Sequence, residues 1–109
     1  MLRFVLAVLV LVAAESQAVR AQQSATANAK SSLDVPQLFA TTCGWCHSDG
    51  GRAAGKGPQL MNTERSDDFI RTRIKQGKQG AMPAFGSIYS DADIDAIIQY
   101  IRTLKPEQG

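Results

Sequence analysis

The stretch Cys43-Gly44-Trp45-Cys46-His47, "CGWCH", holds both cysteines of the chain and its only histidine. Three readings compete for it. A disulfide is the usual fate of two cysteines in an exported chain, but this pair would close a ring of only four residues. A redox-active Cys-x-x-Cys is expected to open a helix beside a sheet, and the chain has no convincing alternating strand. A structural zinc site usually takes four protein ligands. The stretch offers three, with no second cluster of Cys or His elsewhere.

The remaining reading is Cys-x-x-Cys-His, the attachment motif of c-type haem. Two thiols at this spacing reach two vinyl groups on one edge of a porphyrin and form thioethers. The next residue, His47, then presents its imidazole to the iron. Disulfide and zinc stay as alternatives.

The rest of the chain supports an exported setting. Arg3 is followed by an unbroken apolar run of eleven residues, Phe4 to Ala14, and small residues flank Arg20 up to Ala21. This predicts a cleaved signal peptide over 1–21 and a periplasmic protein; Ala18 is the alternative cleavage point. The run is shorter than the ~20 residues a spanning helix needs, so no stable membrane insertion is expected. Residues 22–32, "QQSATANAKSS", are small and polar and predict a disordered leader. Residues 33–109 remain as one domain. A domain that small buries a limited core and gains from a cofactor. Cleavage after Ala21 leaves 10 Lys+Arg against 9 Asp+Glu, a charge of +1. With no basic run interleaved with aromatics, nucleic acid is excluded as a partner.

An iron held by one histidine has an open side. A methionine there raises the potential and suits electron transfer; an open site suits gas or peroxide chemistry. Beyond the signal peptide the methionines are Met61 and Met82. Met82 lies in "KQGAMPAFG", 35 residues after His47, between Gly80, which would let backbone approach the haem, and Pro83, which stiffens the loop. Met82 is the expected sixth ligand and Met61 the reserve; core filling is the common alternative for a methionine.

Three helices are expected. The first starts at Asp34, with Pro36 in its first turn, and runs toward Cys43 with Leu38, Phe39 and Thr42 on one face. The second is capped by Ser66 and stopped by Gly77, with Phe69, Ile70 and Ile74 apolar. The third opens with Ser90 and Asp93 as a capping box and carries Ile94, Ile97, Ile98, Ile101 and Leu104 at helical spacing before Pro106. The loop "SDGGRAAGKGPQLMNTE" holds four glycines and is expected to need a flat apolar ligand to hold it together. Arg71, Arg73, Lys75 and Lys78 precede the Met82 loop, and Asp91, Asp93 and Asp95 open the last helix. They read either as two solvated faces or as a charge dipole that steers an acidic partner.

Taken together, residues 33–105 resemble the small bacterial class I c-type cytochromes. The matching features are the helix leading into CGWCH, Gly57-Pro58-x-Leu60, Gly80-x-Met82-Pro83 and the aromatic C-terminal helix, in that order. The resemblance implies an all-α class I cytochrome c fold, with three main helices wrapped around one covalent haem c. It implies thioethers at Cys43 and Cys46, axial ligands His47 and Met82, a Pro58 carbonyl that orients the imidazole, and Leu60 against the haem. Phe39 and Tyr100 would pair where the first and last helices cross. Trp45 departs from the small residues common at its position and would either stand exposed at the haem edge or shield it.

The function implied is that of a monomeric periplasmic electron carrier in a respiratory chain, not an enzyme. Its partners would be redox proteins: a dehydrogenase or cytochrome complex as donor, an oxidase or reductase as acceptor. The alternatives are a haem enzyme or gas-binding protein, for which no second histidine is present, and a non-haem thiol–disulfide domain.

Overall fold

A computed structural model of the chain describes residues 30–107. The signal peptide expected over 1–21 and the leader up to residue 29 lie outside the described residues. Three α-helices and two short 3-10 turns make up the regular structure among the described residues. No helix among them is long and apolar enough to cross a membrane.

Helix α1 spans Val35–Ala40. The Asp34 side chain accepts the Gln37 amide at 3.0 Å, and Pro36 occupies the first turn, where no amide is needed. Val35, Leu38 and Phe39 are buried. The helix stops three residues short of Cys43, and Thr42 is exposed rather than on the buried face. The reason is local. The Thr41 amide makes the last helical bond, to the Gln37 carbonyl at 3.1 Å; its hydroxyl competes for the same carbonyl at 2.9 Å, and its backbone (φ −116°, ψ −81°) leaves the helix.

Helix α2 spans Asp67–Gln76. The Ser66 side chain caps it by accepting the Phe69 amide at 3.1 Å, and Gly77 closes it through a bond to the Arg73 carbonyl at 2.8 Å. Ile70 and Ile74 are buried. Phe69 is 39% exposed and lies under the guanidinium groups of Arg65 and Arg73, 4.7 and 5.1 Å from its ring centre.

Helix α3 spans Asp91–Thr103 and opens with the full capping box. Ser90 accepts the Asp93 amide at 3.2 Å, while Asp93 accepts the Ser90 amide at 3.0 Å. Ile94, Ile97, Ile98 and Ile101 form one buried stripe, and this stripe is the spine against which α1 and α2 pack. The stacked rings of Phe39 and Tyr100, 4.5 Å apart, mark the crossing of α1 and α3.

Ile98 is 1% exposed and Ile94 fully buried. Ile98→Ala is expected to cost about 2–5 kcal/mol, because the surroundings cannot collapse onto the lost methylenes. A shifted chemical-denaturation midpoint at unchanged slope would report it.

The glycine-rich loop is held by more than an apolar ligand. The Tyr100 hydroxyl donates to the Gly50 carbonyl at 2.8 Å, and Arg52 Nε to the Lys105 carbonyl at 2.7 Å. The Leu60 and Met61 amides converge on the Gly51 carbonyl at 2.9 and 3.0 Å. Arg102, on the last turn of α3, donates to the carbonyls of Thr63 and Arg65 at 3.0 and 2.5 Å and pairs with Asp67. Two arginines and one tyrosine thus anchor the loop to α3 and to the residues just after it.

Candidate haem site

The CGWCH stretch forms a tight turn rather than a continuation of α1. Residues Cys43–Trp45 make one 3-10 turn, and the amides of Cys46 and His47 both bond to the Cys43 carbonyl, at 3.2 and 2.9 Å. Cys43, Cys46 and His47 are half-buried, and both thiols are free. Before a thioether forms, burial pushes the Cys43 thiol up to about 11.

The imidazole is oriented from behind. His47 Nδ1 lies 2.8 Å from the Pro58 carbonyl oxygen. A carbonyl can only accept, so Nδ1 carries the proton and the lone pair of Nε2 is left for a metal. Gly57 makes this approach feasible: a Cβ there would stand 2.7 Å from the imidazole Cε1. Leu60 is half-buried against the core, two residues beyond the proline.

Met82 also packs half-buried against the core, with Phe85 and Tyr89. Its loop is a small hairpin. Lys78 and Met82 exchange backbone bonds of 2.8 Å in both directions, and the Ala81 amide returns to the Lys78 carbonyl at 2.9 Å. Gly80 supplies the positive φ (+74°) of that turn. A Cβ on it would meet no protein atom within 4 Å, and the positive φ is what calls for glycine in the turn. Met61 lies on the other segment. Its amide is bonded to Gly51 and its carbonyl accepts the Gln59 side chain at 3.0 Å.

These features fit a haem. They supply two free thiols at the attachment spacing, an imidazole whose inner nitrogen is already satisfied, and apolar side chains (Cys43, Leu60, Met82, Phe85, Tyr89) only partly covered by the protein. Among the described residues no three His, Cys, Asp or Glu side chains converge as a metal cluster, which leaves the zinc reading without a ligand set.

Trp45 stands out from the protein surface, 82% exposed. It borders an open depression of about 510 Å³ whose other lining residues, Ala40, Thr41 and Gly44, are also uncharged. The two charge runs meet instead of standing on separate faces. Arg71 pairs with Asp95, and Lys75 with Asp91, so the basic face of α2 is largely neutralised by the acidic start of α3. The hydrogen bond from Lys75 holds the Asp91 carboxyl below its usual range; Ser31 and Ser90 do the same for Asp93. Arg73 is turned onto Phe69.

Sequence reading missed three features here. Gly57 packs against the imidazole, Tyr100 and Arg102 tie the loop to α3, and the two charge clusters join. Only the first leaves a local signal, a glycine just before the proline.

Comparison with known proteins places residues 33–101 under the family model "Cytochrome C oxidase, cbb3-type, subunit III". The chain is 34% identical over 79 residues to the cytochrome c6 of Gracilaria tenuistipitata var. liui, covering 67% of this chain and 71% of that protein. It is 32% identical over 78 residues to the cytochrome c6 of Picosynechococcus sp., covering 60% and 66%. It is 37% identical over 82 residues to the cbb3-type cytochrome c oxidase subunit FixP of Azorhizobium caulinodans. That match covers 61% of this chain but spans only 27% of FixP. No solved structure matches.

Proposed function

The chain belongs to the cytochrome c family, as a small class I c-type cytochrome with haem c on Cys43 and Cys46, and on that premise we propose that it is a periplasmic carrier whose iron is held by His47 and Met82. The observation that carries the ligand reading is the 2.8 Å contact of His47 Nδ1 with the Pro58 carbonyl. It fixes the tautomer that a metal-binding imidazole needs.

When bound, the haem supplies a one-electron couple. The protein's own residues keep its surroundings constant while the charge changes. Pro58 and Gly57 hold the His47 ring, and the Lys78–Met82 hairpin holds the thioether. The Phe39–Tyr100 stack and the Arg102 contacts hold the helices and the connecting loop. With His47 and Met82 both holding the iron, the protein would leave no position for a substrate, which disfavours the gas-binding or enzymatic alternative. A reversible one-electron potential, with no carbon monoxide binding by the reduced protein at neutral pH, is the expected result. Tight carbon monoxide binding would overturn the saturated-iron reading.

The donor is a dehydrogenase or cytochrome complex, and the acceptor a terminal oxidase or reductase. Likeness to part of an oxidase subunit supports the oxidase. The docking face is the uncharged surface around Trp45, because the α2 and α3 charges are committed to each other. Tryptophan is among the residues enriched at the energetic hot spots of protein interfaces. Trp45→Ala is expected to lower the second-order rate of electron exchange with the native partner about tenfold. Lys75→Glu, at a residue already paired with Asp91, should change that rate by less than about twofold, with little dependence on salt, since steering needs an uncompensated charge. A steep salt dependence in the wild type, or a rate unaffected by Trp45→Ala, would move the docking face elsewhere.

A further inference from the structure

The Met82 loop has both feet on the last turn of α2. On the outgoing side the Gly77 amide bonds to the Arg73 carbonyl at 2.8 Å. On the returning side the Phe85 and Gly86 amides bond to the Ile74 and Lys75 carbonyls at 2.9 and 3.1 Å. Carbonyls in the last turn of a helix lack partners within the helix; here the loop itself supplies three. The two limbs meet at Gly77. A Cβ on this residue would lie 2.4 Å from the Met82 carbonyl oxygen, 2.7 Å from the Ala84 amide nitrogen and 2.7 Å from the Pro83 carbonyl carbon. Its backbone, φ +67° and ψ −165°, belongs to a region open essentially to glycine alone. Gly86 seats the second foot: a Cβ there would stand 3.0 Å from the Lys75 carbonyl oxygen.

We propose that Gly77 and Gly86 form a side-chain-free seat on the end of α2 that positions the Met82 thioether, so that these two glycines, far from the CGWCH motif in sequence, set how firmly the sixth position is closed. The inference rests on the reading of Met82 as a ligand. Neither glycine touches the iron; each acts through the loop. A methyl group at Gly77 must part the limbs, and the Met82 limb, held by a few backbone bonds, is the softer side. α2 is fixed by buried Ile70 and Ile74.

The test uses the haem-loaded protein in its oxidised form. Three readouts apply: the weak far-red absorption band of iron–thioether ligation, the reduction potential, and the affinity for added imidazole. Gly77→Ala is expected to lose the band, lower the potential and bind imidazole about 10- to 100-fold more tightly, the range that strain of this kind produces. Gly86→Ala, whose contact is milder and which needs no positive φ, should move all three in the same direction but less. Gly50→Ala is the control. Gly50 also has positive φ (+61°), and its Cβ would meet Arg52 and Tyr100, not the Met82 loop. It should lose stability yet keep the band and wild-type imidazole affinity.

The proposal is overturned if Gly77→Ala keeps all three wild-type values, or if Gly50→Ala shifts them equally. Should Gly77→Ala not accumulate, wild-type imidazole affinity in Gly86→Ala overturns it. If instead the wild-type band survives in Met82→Ala, it is the ligand reading that fails, and the glycine variants then say nothing in its favour.

Discussion

Serine at both Cys43 and Cys46 is expected to leave the exported protein without covalent haem. Its mass would be that of the mature chain alone, and acid-acetone extraction would remove any residual colour. The wild type should weigh the mature chain plus one haem and keep its colour through the same treatment. A hydroxyl does not add to a vinyl group as a thiol does, so nothing would tether the porphyrin. The loss should reach the fold as well. Cys43, Leu60, Met82, Phe85 and Tyr89 are only partly covered by the protein's own atoms, and a domain of this size has little apolar burial to spare. Accumulation should therefore drop sharply, as read by the yield of folded periplasmic protein. A wild-type mass equal to the apo chain with a Cys43–Cys46 disulfide would sink the assignment.

Met82→Ala is expected to keep the haem and lose the sixth ligand. The far-red band should vanish and cyanide or carbon monoxide should gain access. The potential should fall on the order of a tenth of a volt, within the ~0.8 V that axial ligation spans. Met61→Ala should leave all of these in place. The distinction follows from which segment each methionine occupies. Met61 continues the Pro58–Leu60 segment, whose carbonyl already holds the back of His47. Met82 sits on a separate hairpin hung from α2. If the band survives Met82→Ala and disappears in Met61→Ala, the ligand is Met61.

Much of this is legible in the sequence itself. Ser66, Ser90 and Asp34 cap the helices they were expected to cap, because a capping side chain bonds to amides two or three residues away and needs no distant partner. The isoleucine stripe of α3 is likewise a local pattern. The end of α1 was misplaced because Thr41 back-bonds to Gln37, a competition that propensity alone does not resolve. What escaped reading was everything that joins distant segments. Arg102 reaches carbonyls at Thr63 and Arg65, and Arg71 and Lys75 find Asp95 and Asp91. Charge runs were visible as runs, but their mutual neutralisation depends on how α2 lies against α3.

The Pro58 contact bears on how this protein can vary over time. The group that fixes the His47 tautomer is a main-chain oxygen, which every amino acid carries. A point mutation at position 58 can loosen the turn by removing the ring, but it cannot delete the acceptor. Gly57 is different, since any side chain there meets the imidazole. The proton inventory of His47 is thus protected against drift at one position and exposed at its neighbour, and the two adjacent residues should tolerate substitution very unequally.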